Sequence, residues 1–170
     1  MGKTNADGQL SAYGRTRGSM IPVLHFDGWS TIPHPTERVN LEDGAQVKRT
    51  LDYGAAAARI ELPPELDLPE SGTLRLAFTS PADPRLQCAV HITFQGGEVV
   101  ESSGVGVDGR TLRVPHVAPG RWEVTATVFP RRLRPCRIGD LAEPAGAADA
   151  PRASATVTLA AGTEERVRLR

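Results

Sequence analysis

Four arginines fall within seven positions of one segment, residues 131 to 137, and their side chains are well suited to binding chemistry. They are Arg131, Arg132, Arg134 and Arg137, and Cys136 stands among them. A guanidinium group offers five N–H donors in a planar fork, which can bind a carboxylate or sulfate through two hydrogen bonds at once. A run rich in Ala, Gly and Pro follows, as in many flexible insertions. The segment therefore predicts either an anion-binding loop or a solvated insertion without a ligand.

Trp29, in the phrase FDGWSTIPHP, is the second candidate for binding. The strand-like run before it ends at Asp27-Gly28, so we expect the indole on a loop, where it could stack on a sugar ring or on a protein partner. Packing in the core is the other role open to it. Trp122 lies inside an alternating strand-like run and is expected in the core.

The two cysteines, Cys88 and Cys136, are 48 positions apart. This spacing suits neither a CxxC redox pair nor a zinc site, which would need two further ligands nearby. Two free thiols in a reducing compartment are one interpretation. The other is a disulfide in an exported protein, which would tie a strand to the arginine-rich loop.

The remaining polar residues do not form a recognisable catalytic or metal-binding pattern. The four histidines, His25, His34, His91 and His116, lack the i, i+2 or i, i+4 spacing of metal ligands. The acidic residues considered for calcium are isolated, whereas calcium sites draw on dense acidic runs; they are Glu42, Asp43, Asp67, Asp83 and Asp108. GxSxG, HExxH and P-loop motifs are absent from the sequence. GVGVDG, residues 104–109, has the spacing of a glycine-rich loop, but no helix is predicted after it to present N–H groups to a phosphate, so we interpret it as strand and turn. We therefore expect no catalytic residues, no metal and no cofactor.

Composition narrows the range of partners. The 170 residues carry 20 basic and 20 acidic side chains, so no overall charge recruits nucleic acid or an anionic membrane. No apolar run approaches the roughly 20 residues that span a bilayer, and the first ten residues lack the apolar core of a signal peptide. Lysine occurs only at Lys3 and Lys48, a bias toward arginine that we attribute to a GC-rich genome.

Two stretches of the chain share one pattern. Each opens with Asp-Gly, at Asp7 and Asp108, and has a second glycine before a strand-like run, Gly18 or Gly120. Each closes on Val-x-Leu-x-x-Gly followed by an alternating run, VNLEDGAQVKRTL and VTLAAGTEERVRL. A repeat of this kind predicts two tandem units. The first is incomplete over residues 1–54, and the second is complete over residues 55–170, with an inserted loop at 130–153.

Alternating and β-branched residues predict short strands throughout. We place them at 9–13, 20–27, 36–42, 46–53, 57–62, 73–78, 88–94, 98–107, 110–117, 121–129, 153–160 and 164–170, and a brief helical turn within 51–59. Asp108-Gly109 and Pro119-Gly120 are expected to be tight turns between paired antiparallel strands, and Gly8 and Gly18 to hold equivalent places in the first copy. Short, evenly spaced strands of this kind predict an all-β antiparallel sandwich, prealbumin-like or immunoglobulin-like.

The phrases VDGRTLRVPHVAPGRWEVTATVF and ATVTLAAGTEERVRLR resemble the carboxypeptidase regulatory-like family, whose members are prealbumin-like or transthyretin-like β-sandwiches. The resemblance covers residues 57 to 170 and implies such a sandwich. The related Cna-B adhesin domains carry a Lys-Asn isopeptide bond. Residues 55–170 contain neither Lys nor Asn, so the bond is impossible there.

These observations favour a non-catalytic interaction or spacer module of a multi-domain bacterial surface or secreted protein. An extracytoplasmic location is favoured, and a cytoplasmic one stays open because no signal peptide is evident. One alternative is a carbohydrate-binding module that uses Trp29 and the loop arginines. Another is a structural subunit that pairs its open sheet edges with a protein partner or a second copy of itself.

Overall fold

The computed structural model describes residues 56–82, 87–102, 104–134 and 143–170, and the backbone alone of four short strands before residue 56 and of Gln87 and Cys88. The four short strands are β1 (Gly18–Met20), β2 (His25–Phe26), β3 (Trp29–Ser30) and β4 (Val39–Leu41). Nine strands follow: β5 (Ala56–Glu61), β6 (Gly72–Thr79), β7 (Gln87–Gln95), β8 (Glu98–Glu101), β9 (Gly106–Asp108), β10 (Thr111–Val117), β11 (Gly120–Phe129), β12 (Arg152–Leu159) and β13 (Glu164–Arg168).

The nine strands form a β-sandwich of two sheets. One sheet has the order β13-β5-β10-β9, and the other has the order β12-β11-β6-β7-β8. Every pairing is antiparallel except that of β13 with β5, which is parallel. The predicted all-β sandwich is confirmed, and the described residues contain no helix. The brief helical turn predicted within 51–59 is wrong for residues 56–59, because they belong to β5.

The core lies between the two sheets and follows the alternation of side chains along each strand. In β5 the positions alternate between buried Ala56, Ala58 and Ile60 and outward Ala57, Arg59 and Glu61. The five-stranded sheet contributes larger groups to the core, among them Phe78, Ile92 and Trp122. Trp122 is fully buried, as predicted, and its Nε1–H donates a hydrogen bond of 2.8 Å to the carbonyl of Ala118.

The turn predicted at Asp108-Gly109 does connect two paired antiparallel strands, β9 and β10, but it is displaced by one residue. Asp108 pairs with Thr111, so the residues between the paired positions are Gly109 and Arg110 rather than Asp108-Gly109. Gly109 has φ 55°, and Arg110 does not have positive φ. This combination is that of a type II′ turn, which requires glycine at its first central position.

Pro119-Gly120 does not connect two paired strands. It leads from β10 in the four-stranded sheet to β11 in the five-stranded one, so it is a crossover between sheets. The predicted strand 98–107 divides in the same way, because β8 belongs to the five-stranded sheet and β9 to the four-stranded one. Val105 lies between these strands and is buried in the core.

The backbone of the short strands shows where the first copy of the sequence pattern lies. β1 pairs with β4 so that Gly18 faces Leu41 and Met20 faces Val39. In the second copy Gly120 faces Leu159 and Trp122 faces Val157. The glycine and the Val-x-Leu phrase of each copy thus pair in the same register. Gly8 and the predicted strands 9–13 and 46–53 lie outside the described residues.

Candidate functional site

Two arginines of the predicted binding loop contact other parts of the chain, and the side chain of a third, Arg134, is exposed. Arg131 donates a hydrogen bond of 2.9 Å to the carbonyl of Ala145, which belongs to the returning arm of the loop. Arg132 forms an ion pair of 3.1 Å with Glu101 at the end of β8. These contacts join the two side chains to different elements. Arg137 lies outside the described residues.

The described parts of the loop lie on the outer face of the five-stranded sheet. The backbone N–H of Leu133 donates a hydrogen bond of 2.9 Å to Thr73 Oγ1 on β6, and the carbonyl of Arg134 lies 2.8 Å from His91 Nδ1 on β7. The returning arm, residues 143–150, forms turns and buries Ala147 beside Phe129 and Leu133. Most of residues 143–150 are exposed and Ala147 is the buried one among them, so the expectation of a flexible, solvated tail stays a prediction.

The face beneath the loop is polar although it is buried. Thr127, Arg75 and His91 stand in register on β11, β6 and β7, and each is less than one tenth exposed. Thr73 and Thr93 form a second buried pair beside them. Buried polar side chains of this kind depend on hydrogen bonds for their stability. Thr73 and His91 satisfy part of this need by bonding to the backbone of Leu133 and Arg134.

The structure describes only the backbone of Trp29 and Cys88, and it does not describe Cys136. The backbone of Trp29 pairs with Phe26 in the β2–β3 hairpin, so the expectation that this residue lies on a loop is wrong. Only Asp27 and Gly28 separate the paired residues, and Asp-Gly is a favoured two-residue hairpin sequence. The Trp29 side chain lies outside the described residues. Cys88 pairs with Phe78 through its backbone, whereas the Cys88 thiol and the whole of Cys136 fall outside the description, so the disulfide stays a prediction.

A different set of arginines lies together on the outer face of the four-stranded sheet. Arg166 on β13, Arg59 on β5 and Arg113 on β10 are in register across three adjacent strands. Adjacent strands are about 4.8 Å apart, so the row extends over about 10 Å. The three side chains are 62%, 51% and 55% exposed. The next position along the row is Gly106 on β9, which has no side chain.

Two glutamates hold these arginines in a lattice. Glu164 accepts from the Nε groups of Arg59, at 3.1 Å, and Arg113, at 2.5 Å. Glu61 accepts from the Nε groups of Arg166 and Arg168, the latter at 2.9 Å. We call these six residues the arginine lattice; it carries four positive and two negative charges.

The ion pairs also lower the pKa values of the two glutamates. The hydrogen bond from Arg166 is the main reason that the pKa of Glu61 lies below its ordinary value, and Arg168 adds to the effect. The hydrogen bond from Arg113 lowers the pKa of Glu164 in the same way, with a smaller contribution from Arg59. Both carboxylates therefore stay ionised at neutral and mildly acidic pH and keep the guanidinium groups in place.

The two lateral sides of the sandwich differ in whether backbone hydrogen bonds join the two sheets there. On one side Ser154 of β12 exchanges two backbone hydrogen bonds with Arg170, just after β13, at 2.9 and 3.2 Å, which links the two sheets. On the other side, among the strands that the structure describes, β8 pairs with β7 alone and β9 with β10 alone. Val99 and Val100 of β8 are 37% and 52% exposed, and they are the large apolar side chains exposed among the described residues.

No group of three or more potential metal-ligating His, Cys, Asp or Glu side chains is present in the described part of the chain. Likewise, no helix long and apolar enough to cross a membrane occurs among the residues described here.

Comparison with known proteins gives one structural likeness. No family model matches the chain, and no curated protein matches it significantly. Among solved structures, the chain is similar to GBS52, the minor pilin of the gram-positive pathogen Streptococcus agalactiae, at 9% identity and a TM-score of 0.31. The alignment covers 68% of this chain and 43% of the pilin. At this level the likeness carries no inference about function, and the fold assignment rests on the strand topology.

The arginine lattice was not predicted from the sequence, although part of its signal is present there. In AARIE, TLRVP and ERVRL the arginines alternate with apolar residues, which places them on the outward face of their strands. The pattern does not predict the order of the strands, in which β5 lies between β13 and β10. Only that strand order brings Arg166, Arg59 and Arg113 side by side.

Proposed function

We propose that this chain is a non-catalytic interaction or spacer module of a bacterial surface or secreted protein, and that it associates through the open edge of the sandwich at β8. The difference between the two lateral sides carries the proposal. One side is joined by the backbone bonds of Ser154 and Arg170. The other presents an edge strand with two exposed valines.

The chemistry of this edge fits strand pairing. An edge strand offers unpaired N–H and C=O groups, and soluble proteins usually protect such edges with charge, bulges or short length. β8 carries Glu98 and Glu101 at its ends, which limits pairing, and has Val99 and Val100 between them. A second copy whose β8 lies antiparallel to the first would cover the valines of both.

The finer assignment to a carboxypeptidase regulatory-like module with an incomplete N-terminal copy belongs to the same proposal. It is supported by the sequence phrases that resemble the family and by the matching registers of β1 with β4 and β11 with β12. A repeated sandwich unit is a common building element of multi-domain surface proteins. Such units space or join neighbours rather than catalyse a reaction.

The test is the molar mass in solution as a function of concentration, measured by sedimentation equilibrium. We expect reversible dimers in the native protein and monomers in Val100→Lys, because a charge on the edge opposes pairing. Thr158→Lys on β12 is the matched control, since it adds the same charge to an exposed position on the joined side, and it should leave the dimer intact. A native protein that is monomeric at every concentration would refute association through β8.

A further inference from the structure

The arginine lattice has the features of a binding site for carboxylates. All four guanidinium groups contact the two glutamates through Nε. The Nε bonds fix the direction of each side chain. The terminal amino groups of these exposed arginines are then available for a second acceptor.

Among the described residues, no carboxylate bridges Arg59 to Arg166. Glu164 bridges Arg59 to Arg113, and Glu61 bridges Arg166 to Arg168. Arg59 and Arg166 face each other in register on β5 and β13, but neither glutamate joins these two. An incoming carboxylate between them would repeat the bridging that Glu164 already performs one strand away.

The surroundings of the lattice favour an acidic peptide over an acidic polysaccharide. The other outward positions of the sheet include Ala57, Thr111, Gly106 and Asp108, and Pro115 and the exposed His116 lie at the bulge of β10; none of them is Trp, Tyr or Phe. The described face thus lacks the Trp or Tyr rings on which sugars usually stack, and its one exposed ring is the imidazole of His116. It is an open sheet surface, which suits an extended segment or a protein surface with exposed Asp and Glu side chains.

We propose that the outer face of the four-stranded sheet, centred on Arg59 and Arg166, binds acidic segments of a protein partner through their carboxylates. This surface lies on the opposite sheet from the β8 edge, so it is a second binding site rather than a part of the proposed association edge. The excess of positive charge in the lattice supplies the attraction. The glutamates keep the arginines ordered before the partner arrives, which lowers the entropy lost on binding.

The experiment measures binding of a fluorescein-labelled oligoglutamate peptide about ten residues long, which extends over about 33 Å and so exceeds the length of the row. Fluorescence anisotropy is followed at low and at moderate salt, with an oligoglutamine peptide as the neutral probe. We expect saturable binding of oligoglutamate that weakens with salt. The double variant Arg59→Gln and Arg166→Gln should bind about tenfold more weakly, as expected for two surface ion pairs.

A matched control separates the site from general charge. Arg121→Gln with Arg152→Gln removes the same two charges from exposed positions of the other sheet and should change the affinity less than about twofold, given the screening of distant charges. Equal losses in the two double variants, or no binding by the native protein, would refute the site. Polygalacturonate serves as the second probe, and lattice-dependent binding of it without binding of oligoglutamate would overturn the assignment to acidic peptides.

Gly106→Glu gives an independent check that keeps all four arginines. A Cβ at Gly106 would lie 3.5 Å from the Cβ of Arg113, an ordinary contact, so the new side chain fits. Its carboxylate would compete for the end of the row and should weaken oligoglutamate binding several-fold, whereas Gly106→Ala should not. An unchanged affinity in Gly106→Glu would contradict a site that includes Arg113.

Discussion

Trp122 makes the largest single contribution to the core of the sandwich. Its ring is fully buried between the sheets, and its N–H satisfies the carbonyl of Ala118 just before the crossover to β11. Trp122→Ala removes the ring and leaves that buried carbonyl without its donor, so the free energy of unfolding should fall by about 3 to 5 kcal/mol. Chemical denaturation monitored by circular dichroism measures this loss.

Trp122→Phe is the natural comparison, because it keeps an aromatic ring and removes the N–H. We expect its free energy of unfolding to lie between that of the native protein and that of Trp122→Ala. If Trp122→Ala lost less than about 1 kcal/mol, the assignment of this ring to the main core would be wrong.

At the level of the elements, the arginine lattice should make the stability of the four-stranded sheet depend on pH. The pKa values of Glu61 and Glu164 are lowered in the folded state. Their stabilising contribution is therefore complete above the ordinary pKa of glutamate and is lost as the pH falls through the lowered values. The effect should be small, because the pairs are at the surface.

Denaturation of the native protein and of the double variant Glu61→Gln and Glu164→Gln, between about pH 6 and pH 3, tests this expectation. The variant should lose less stability than the native protein over that range. Glu98→Gln with Glu123→Gln removes two exposed carboxylates from the other sheet and should leave the native pH dependence in place. If the stability of Glu61→Gln with Glu164→Gln depended on pH as strongly as that of the native protein, the two glutamates would not contribute to that pH dependence.

The strands themselves were largely predictable from the sequence, and their partners were not. Alternation placed β6, β10, β11 and β13 within a few residues of their observed bounds. Where the chain passes from one sheet to the other, at Pro119-Gly120 and between β8 and β9, local pattern gives no sign of the change. Strand alternation is a property of one segment, whereas sheet membership depends on contacts with distant ones.

The same distinction explains why the sequence pointed to the loop arginines and not to the arginine lattice. Closeness along the chain pointed to the loop arginines, of which Arg131 contacts Ala145 and Arg132 contacts Glu101, and binding at the loop stays a prediction. The arginines that do meet on one surface come from positions 59, 113 and 166 and are adjacent only because of strand order. Residues close in sequence are therefore a weak guide to a surface assembled from several strands.

For the whole molecule, the described core predicts where an independent folding unit lies. Both large sheets are built from β5 to β13, and the members of the main core cluster that the structure describes lie between residues 56 and 169. A fragment of residues 55–170 should therefore fold without the preceding segment and unfold in one cooperative transition. Its near-native stability would agree with the predicted boundary between the two units.

Thermal and chemical unfolding of the fragment and of the full chain, followed by Trp122 fluorescence, provide the comparison. Trp29 is the other tryptophan and is absent from the fragment, so the full chain is measured as Trp29→Phe. We expect the two proteins to have similar transition midpoints, because the ring of Trp122 and its hydrogen bond to Ala118 lie wholly within residues 56 to 169. A fragment that unfolds without a cooperative transition would mean that residues before 55 are required to complete the sandwich, and the domain boundary proposed from the repeat would then be wrong.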